Sequence, residues 1–331
     1  MGLAAQKRVR TIISYCILGF WSFILLFPMY WVVITSFKNA IDMSIKATYM
    51  PFIDFQPGLH AWHYLFVDRL TWFLDPFMNS VLVAFISSTV ALVIGSSAGY
   101  ALARFDYGGR NNSIVLGFMS QRMFPGALFI LAFLVMFREL GLLDTRLALI
   151  IVYSSGAIPF IVWVMRDFFE GLPVEIEESA MIDGANRLGV LFRIAMPLAA
   201  PGLVAVFVLS LIGAWNEYLV ALTLTFREAI TIPLFMTMQV SQTGYTEWWN
   251  MSAISLVSVI PVVAAGMALE KYITGGRPDL RRAQRLTRPN ESVCQPDSDD
   301  SSLLRRRPSH NRTSQISTAS GIKKTSSSGV R

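Results

Sequence analysis

Polar side chains set inside long apolar runs are the groups in this chain whose type and place allow chemistry. Gln121 and Arg122 precede Phe124-Pro125-Gly126 in one run, Tyr153 and Ser154 lie midway along another, and Asn216, Glu217 and Tyr218 follow Trp215 in a third. A charge or an amide at membrane depth is costly unless it faces protein or water. These residues therefore read either as the lining of a polar path or as groups paired within the fold. For Arg122 the second alternative is a guanidinium that snorkels or is paired in the bundle; for Glu217 it is a structural salt bridge.

The other polar feature is the stretch Leu172 to Pro201, LPVEIEESAMIDGANRLGVLFRIAMPLAAP, between two apolar runs. Pro173 suits the first position of a helix, and Glu175, Glu177 and Glu178 follow in its first turn, where carboxylates favour the positive end of the helix dipole. Asp183-Gly184 supplies a turn, because glycine accepts the left-handed conformation that commonly ends a helix. Leu188, Leu191, Phe192 and Ala195 then recur at i, i+3, i+4 and i+7 as one apolar stripe, with Arg187 and Arg193 off it. Pro197 and Pro201 close the unit. The stripe either packs back on the bundle or docks into another protein.

Several chemistries are excluded. No G-x-x-x-x-G-K-[ST] loop occurs, so the chain has no P-loop cradle for a nucleotide. His60, His63 and His310 lie in a loop and a tail, without metal-ligand spacing and away from the apolar runs. That leaves no metal site and no Ser/His/Asp or Cys/His intramembrane hydrolase. Cys16 and Cys294 are the two cysteines, one in an apolar run and one in a polar tail, which is no disulfide framework. The formal charge of +6 gathers beside apolar runs and in the terminal tail, so membrane orientation explains it without nucleic acid. No catalytic residue and no cofactor bound by this chain is expected.

The elements that must position these groups are membrane helices. Hydrophobic residues make up 53% of the 331, and the mean hydropathy is +0.50. Both exceed the range of soluble domains, so the fold class is an all-α integral membrane protein. Six spans are expected at about 11–35, 77–102, 113–137, 147–165, 201–224 and 251–270, each near the length that crosses ~30 Å of hydrocarbon. The first is too long for a signal-peptide core and no small-x-small cleavage site follows promptly, so it reads as retained. Gly95, Ser96, Ser97, Ala98 and Gly99 let the second span approach a neighbour closely. Residues 38–76 form an aromatic loop, either a lid packed on the bundle or a partner surface. Basic residues near the span ends place residues 1–10 and the 172–200 loop in the cytoplasm, with both termini on that side. Residues 275–331, rich in Ser, Arg, Asp and Asn, read as a disordered cytoplasmic tail.

The spacing of Glu178-Ser179-Ala180, Gly184, Ile194 and Pro197 resembles the EAA coupling loop of ABC-importer permeases. The string ESAMIDGA from Glu178 to Ala185, with Phe192, is similar to the carbohydrate branch of that family, the maltose-transporter type. Asn79-Ser80, Ala98 to Phe105 (AGYALARF), Trp215-Asn216-Glu217 and Thr231-Ile232-Pro233 extend the resemblance from the first span to about Lys271. Ser179 stands where the family has alanine, Met196 where it has leucine, and the ending after Gly275 departs from its pattern, so tail contacts to an ATPase are not carried over.

The resemblance implies a type I importer permease fold and a subunit, without an ATPase site of its own, that moves a sugar or sugar derivative across the inner membrane. It implies as partners a second permease subunit, two cytoplasmic ATPase subunits that hold ATP and Mg, and an extracytoplasmic sugar-binding protein, all around the lipid bilayer. Glu178, Ser179, Ala180, Asp183, Gly184 and Ala185 occupy the coupling motif. Leu188 and Phe192 supply docking surface, and Ile194 and Pro197 complete the pattern. Gln121, Tyr153, Ser154, Asn216, Glu217 and Tyr218 are the expected substrate path, since amides, hydroxyls and aromatics suit a neutral polyhydroxylated cargo. Two rivals remain from other classes: a membrane receptor or scaffold that binds a partner through the same loop, and an ion-coupled carrier. The carrier would need repeat symmetry or a titratable relay, and Glu217 with Arg122 is a thin one.

Overall fold

The computed structural model describes residues 3–45, 48–239 and 246–275. The expected 275–331 tail lies outside the described residues except for Gly275, which ends a helix. Among the described residues there is no strand, only an isolated bridge between Pro51 and Phe55. In chain order the helices are α1 (Leu3–Thr35), α2 (Ala40–Ile45), α3 (His60–His63), α4 (Leu70–Arg104), α5 (Asn111–Ser120), α6 (Ile130–Glu139) and α7 (Arg146–Glu170). The polar loop forms α8 (Val174–Ile182), α9 (Arg187–Val190) and α10 (Met196–Leu198). There follow α11 (Ala200–Trp215), α12 (Leu219–Leu224), α13 (Ile232–Thr237) and α14 (Trp248–Gly275).

Helices α1, α4, α7 and α14 are each long and apolar enough to cross a membrane. Two bent pairs bring the count to as many as six: Asn111–Met123 with Gly126–Glu139, bent by 83°, and Arg187–Leu198 with Ala200–Trp215, bent by 81°. Three expectations are corrected in detail. The second span starts at Leu70 rather than 77, so Trp72 and Pro76 are helical and not part of a loop. The third span is two helices meeting at a sharp corner, because Pro125 has no N–H and disfavours helix in Phe124, which is extended. The fifth span ends its first helix at Trp215 and restarts at Leu219.

The bundle is built around α4, which packs chiefly on α7 and next on α11. Glycine makes this closeness possible: a Cβ at Gly95 would meet Ile161 Cγ2 at 2.7 Å, and one at Gly99 would meet Arg166 N and Val162 O at 3.0 Å. At one end of the bundle Tyr100, Met165, Phe169, Leu191 and Ala195 share a buried cluster. At the other end Phe73, Ile232, Phe235, Ala253 and Ile254 bury Ala61 and Leu65, so the aromatic loop is packed down on the bundle. Between Arg10 and Thr35 helix α1 is predominantly apolar and largely exposed, as suits a helix surrounded by lipid or by a partner.

Gly95→Ala should destabilise the protein by about 1–3 kcal/mol, since Ile161 must move to admit the methyl. Gly117→Ala is the control, because nothing lies within 4 Å of its Cβ position. Thermal unfolding in detergent, followed by fluorescence, should separate the two, with Gly117→Ala at or above the wild-type midpoint.

Candidate coupling loop and membrane path

Leu172 and Pro173 lead into α8, but Pro173 is the cap and not the first helical residue: its ψ of 126° keeps it extended. The helix closes at Asp183 and Gly184, whose φ of +90° is the left-handed conformation expected of this turn. Gly184 N donates to Met181 O at 3.1 Å and Ala185 N to Ala180 O at 3.0 Å, which satisfies carbonyls left free at the helix end. The Asn186 side chain then accepts from Gly189 N at 2.7 Å and starts α9. Helices α9 and α10 are joined by a π-helical turn, Leu191–Ala195.

The apolar stripe is divided in its burial. Leu191 and Ala195, with Val190, are buried in the bundle, whereas Leu188 is 66% exposed and Phe192 51% exposed. Packing on the bundle, one of the two alternatives open at the level of sequence, is thus realised by Leu191 and Ala195, while Leu188 and Phe192 of the same stripe are left exposed. Leu188, Phe192, Ala185 and Ile194 line a groove of about 530 Å3 that also includes Gly184 and Arg193. Glu178, Ser179, Asp183 and Pro197 are exposed around the same loop, and Ala180, Ala185 and Ile194 are half-buried.

The residue of the acidic turn that is buried is Glu177. Its Oε1 accepts from Arg104 Nε at 2.9 Å and Nη2 at 2.8 Å, and its Oε2 from Tyr100 Oη at 2.7 Å. Arg104 Nη2 also donates to Leu172 O at 3.1 Å. Nothing in the spacing of three neighbouring glutamates singles out this one. The one available signal was Tyr100 and Arg104 four residues apart, on one face of the second span.

The six expected path residues separate into groups. Tyr153 Oη donates to Glu217 Oε2 at 2.9 Å. Both carboxylate oxygens of Glu217 accept from Val220 N at 3.1 Å, so this acid caps α12 where the span is broken. Tyr218 packs against the buried cluster that includes Tyr153. Ser154 is turned into the helix contact, donating to Ile150 O at 2.6 Å and Ser87 O at 3.1 Å. Asn216 is exposed, its amide returning to Ile212 O at 2.8 Å. Gln121 is exposed at the corner of the third span, next to Arg122, whose guanidinium lies 5.3 Å from the centre of the Phe160 ring. Arg122 is neither a partner of Glu217 nor part of a relay with it.

The ends opposite the coupling loop are tied by polar groups as well. Asn79 Nδ2 donates to Glu228 O at 2.9 Å and Ile230 O at 3.0 Å, and its Oδ1 accepts from Arg146 Nε at 2.6 Å. Ser80 Oγ accepts from Ile232 N at 2.8 Å, which links the Asn79-Ser80 and Thr231-Ile232-Pro233 strings in space. The Asp144 carboxylate gathers the backbone N–H groups of Phe226, Arg227, Glu228 and Ala229 at 2.9 to 3.2 Å. Burial pushes this carboxyl up, but the backbone donors outweigh it and hold it below the usual carboxylate range.

A carboxyl whose folded pKa is depressed stabilises the fold above its unfolded pKa of about 3.9, and that contribution is lost as pH falls through the folded value. Asp144→Asn should therefore lower the thermal midpoint at pH 7 by the equivalent of about 1–3 kcal/mol. The gap to wild type should narrow below about pH 4. A gap of constant size across a pH series of melting curves would refute the role given to the carboxylate.

Residues 91–275 match the family model described as binding-protein-dependent transport system inner membrane component. The inner membrane ABC transporter permease protein YcjP of Escherichia coli is 37% identical over 277 residues, covering 83% of this chain and 97% of that protein. The diacetylchitobiose uptake system permease protein NgcG of Streptomyces coelicolor is 30% identical over 275 residues, 82% of this chain and 89% of that protein. A chain from the crystal structure of a bacterial ABC transporter that imports the acidic polysaccharide alginate shares the fold, with a TM-score of 0.68 at 24% identity over 81% of this chain and 97% of that one. This multi-pass helical chain, with its exposed loop between α7 and α11 and no ATPase site of its own, belongs to the family of inner-membrane permease components of binding-protein-dependent ABC transport systems.

Proposed function

We propose that this chain is one half of the membrane path of an importer for a sugar or sugar derivative. In this reading it pairs with a second permease subunit, is driven by two cytoplasmic ATPase subunits that carry ATP and Mg, and receives cargo from an extracytoplasmic binding protein. Both termini and the 172–200 loop lie in the cytoplasm. The sugar class is supported by the diacetylchitobiose system named above and by the neutral polar groups Gln121 and Asn216, exposed within otherwise apolar spans.

The observation that carries the coupling role is the split stripe. Leu191 and Ala195 hold the loop on the bundle, and Leu188 and Phe192 stand free beside the groove that includes Gly184. An apolar face fixed from behind and open in front is the form a docking element needs. Glu178, Ser179 and Asp183 supply its polar rim, and Ala180, Ala185, Ile194 and Pro197 its shape. Within the membrane Asn216 and Gln121 face cargo, whereas Tyr153, Glu217, Tyr218 and Ser154 hold the break that presents Asn216.

ATP-dependent uptake into vesicles holding this chain, its partner permease, the ATPase and the binding protein tests the reading, screened over mono-, di- and oligosaccharides and glycerol phosphodiesters. Uptake should vanish when this chain is omitted. Gly184→Asp places a side chain at a φ of +90° and a charge in the groove, and should abolish substrate-stimulated ATP hydrolysis in complexes whose spans are intact. Asn216→Ala should raise the KM for uptake about tenfold or more, with an unchanged melting temperature, since the amide it removes is bonded only within its own helix.

A further inference from the structure

We infer that α4 carries the motion of the coupling loop into the membrane, and that Glu177 is the positioning residue that makes the connection. The inference rests on the coupling role proposed above and adds the route by which it works. Chain connectivity attaches the loop to the bundle through α7 before it and α11 after it, and Leu191 and Ala195 add apolar packing. Glu177 adds a directional polar attachment, to Tyr100 and Arg104 in the last turns of α4.

The burial of this pair separates it from the other ion pairs among the described residues. The side chains of Arg104 and Glu177 are 7% and 5% exposed, while His63–Asp68, Arg166–Glu170 and Arg227–Glu228 each leave at least one partner well exposed. A buried ion pair is seldom more stabilising than apolar residues of the same volume, because both charges lose their water. What it supplies is direction: two donors of one guanidinium and one phenol fix the carboxylate in a single pose. The same guanidinium grips Leu172 O, so the residue that starts the loop and the first turn of α8 are held by one side chain.

Helix α4 is suited to pass this motion on. Its 35 residues span roughly 50 Å at ~1.5 Å each. At Gly95 and Gly99 its backbone lies directly against α7, with no room for a Cβ between them. Near its other end Asn79 and Ser80 hold the backbone of residues 228–232. A displacement of α8 therefore reaches the far loops through one stiff helix with polar joints at both ends.

The test uses the assembled transporter in vesicles and the sugar that the wild-type complex takes up fastest, with sugar moved and ATP hydrolysed measured on the same sample. Glu177→Gln and Arg104→Gln should each lower sugar moved per ATP about tenfold, while the ATPase subunits still co-purify with the complex. A lowered ratio of sugar moved to ATP hydrolysed, in a complex that still assembles, is a readout that a merely structural requirement for these residues would not move. Tyr100→Phe removes one hydrogen bond and no charge, and should give a smaller loss of the same kind even if the charge variants fail to assemble. Wild-type stoichiometry in Glu177→Gln or Tyr100→Phe would overturn the inference. A wild-type complex that hydrolyses ATP and moves no sugar would instead sink the transport reading on which it stands.

Discussion

Hydrocarbon offers the backbone no hydrogen-bond partner, and the architecture follows from that constraint. Helices satisfy their own peptide groups, so the long apolar runs form continuous helices even through Pro28, Pro76, Pro159 and Pro261. Where a helix stops inside the apolar region, some other group must take over. At residues 216–218 the Glu217 carboxylate does so by accepting from Val220 N, and Tyr153 on α7 holds that carboxylate in turn. The break in the fifth span is therefore tied to a polar side chain on another helix. An acid that looked like a ligand group in isolation is one whose first duty is to the backbone.

The same reasoning accounts for the joints at both ends of α4. A long helix that packs by glycine against α7 has little room to adjust sideways, so specific polar contacts at its ends determine what it is attached to. Asn79 and Ser80 reach a loop about 150 residues further along the chain, and Tyr100 and Arg104 reach the coupling helix. Asp144, with its φ of +57°, completes the first of these by collecting four consecutive backbone donors of the loop that follows α12. Short sequence strings that are far apart in the chain thus belong to single physical contacts.

The coupling loop combines anchoring and presentation in one short stretch. A π-helical turn accommodates one more residue per hydrogen-bonded turn than an α-helix and so rotates the side chains beyond it. Leu191 and Ala195 enter the buried cluster with Phe169 and Met165, and Leu188 and Phe192 remain outside it. The bend of 81° between this segment and α11 keeps the exposed side chains clear of the bundle.

Apolar runs, their lengths and the turn chemistry of Asp183-Gly184 were sufficient on their own to determine an all-α membrane chain, the loop between α7 and α11, and the left-handed residue within it. These are local properties: hydrocarbon thickness limits helix length, and only glycine takes a φ of +90° without strain. The resemblance carried by ESAMIDGA and the other strings pointed to the family. Tertiary structure decided the rest. Which of Glu175, Glu177 and Glu178 is buried depends on an arginine and a tyrosine more than seventy residues away. Whether Glu217 meets cargo or a backbone N–H depends on where the helix breaks. Which side of one stripe faces in depends on the cluster of Tyr100, Met165 and Phe169 that receives Leu191 and Ala195. Each of these is set by packing between segments distant in the chain, and periodicity reports only the face a residue shares with its near neighbours.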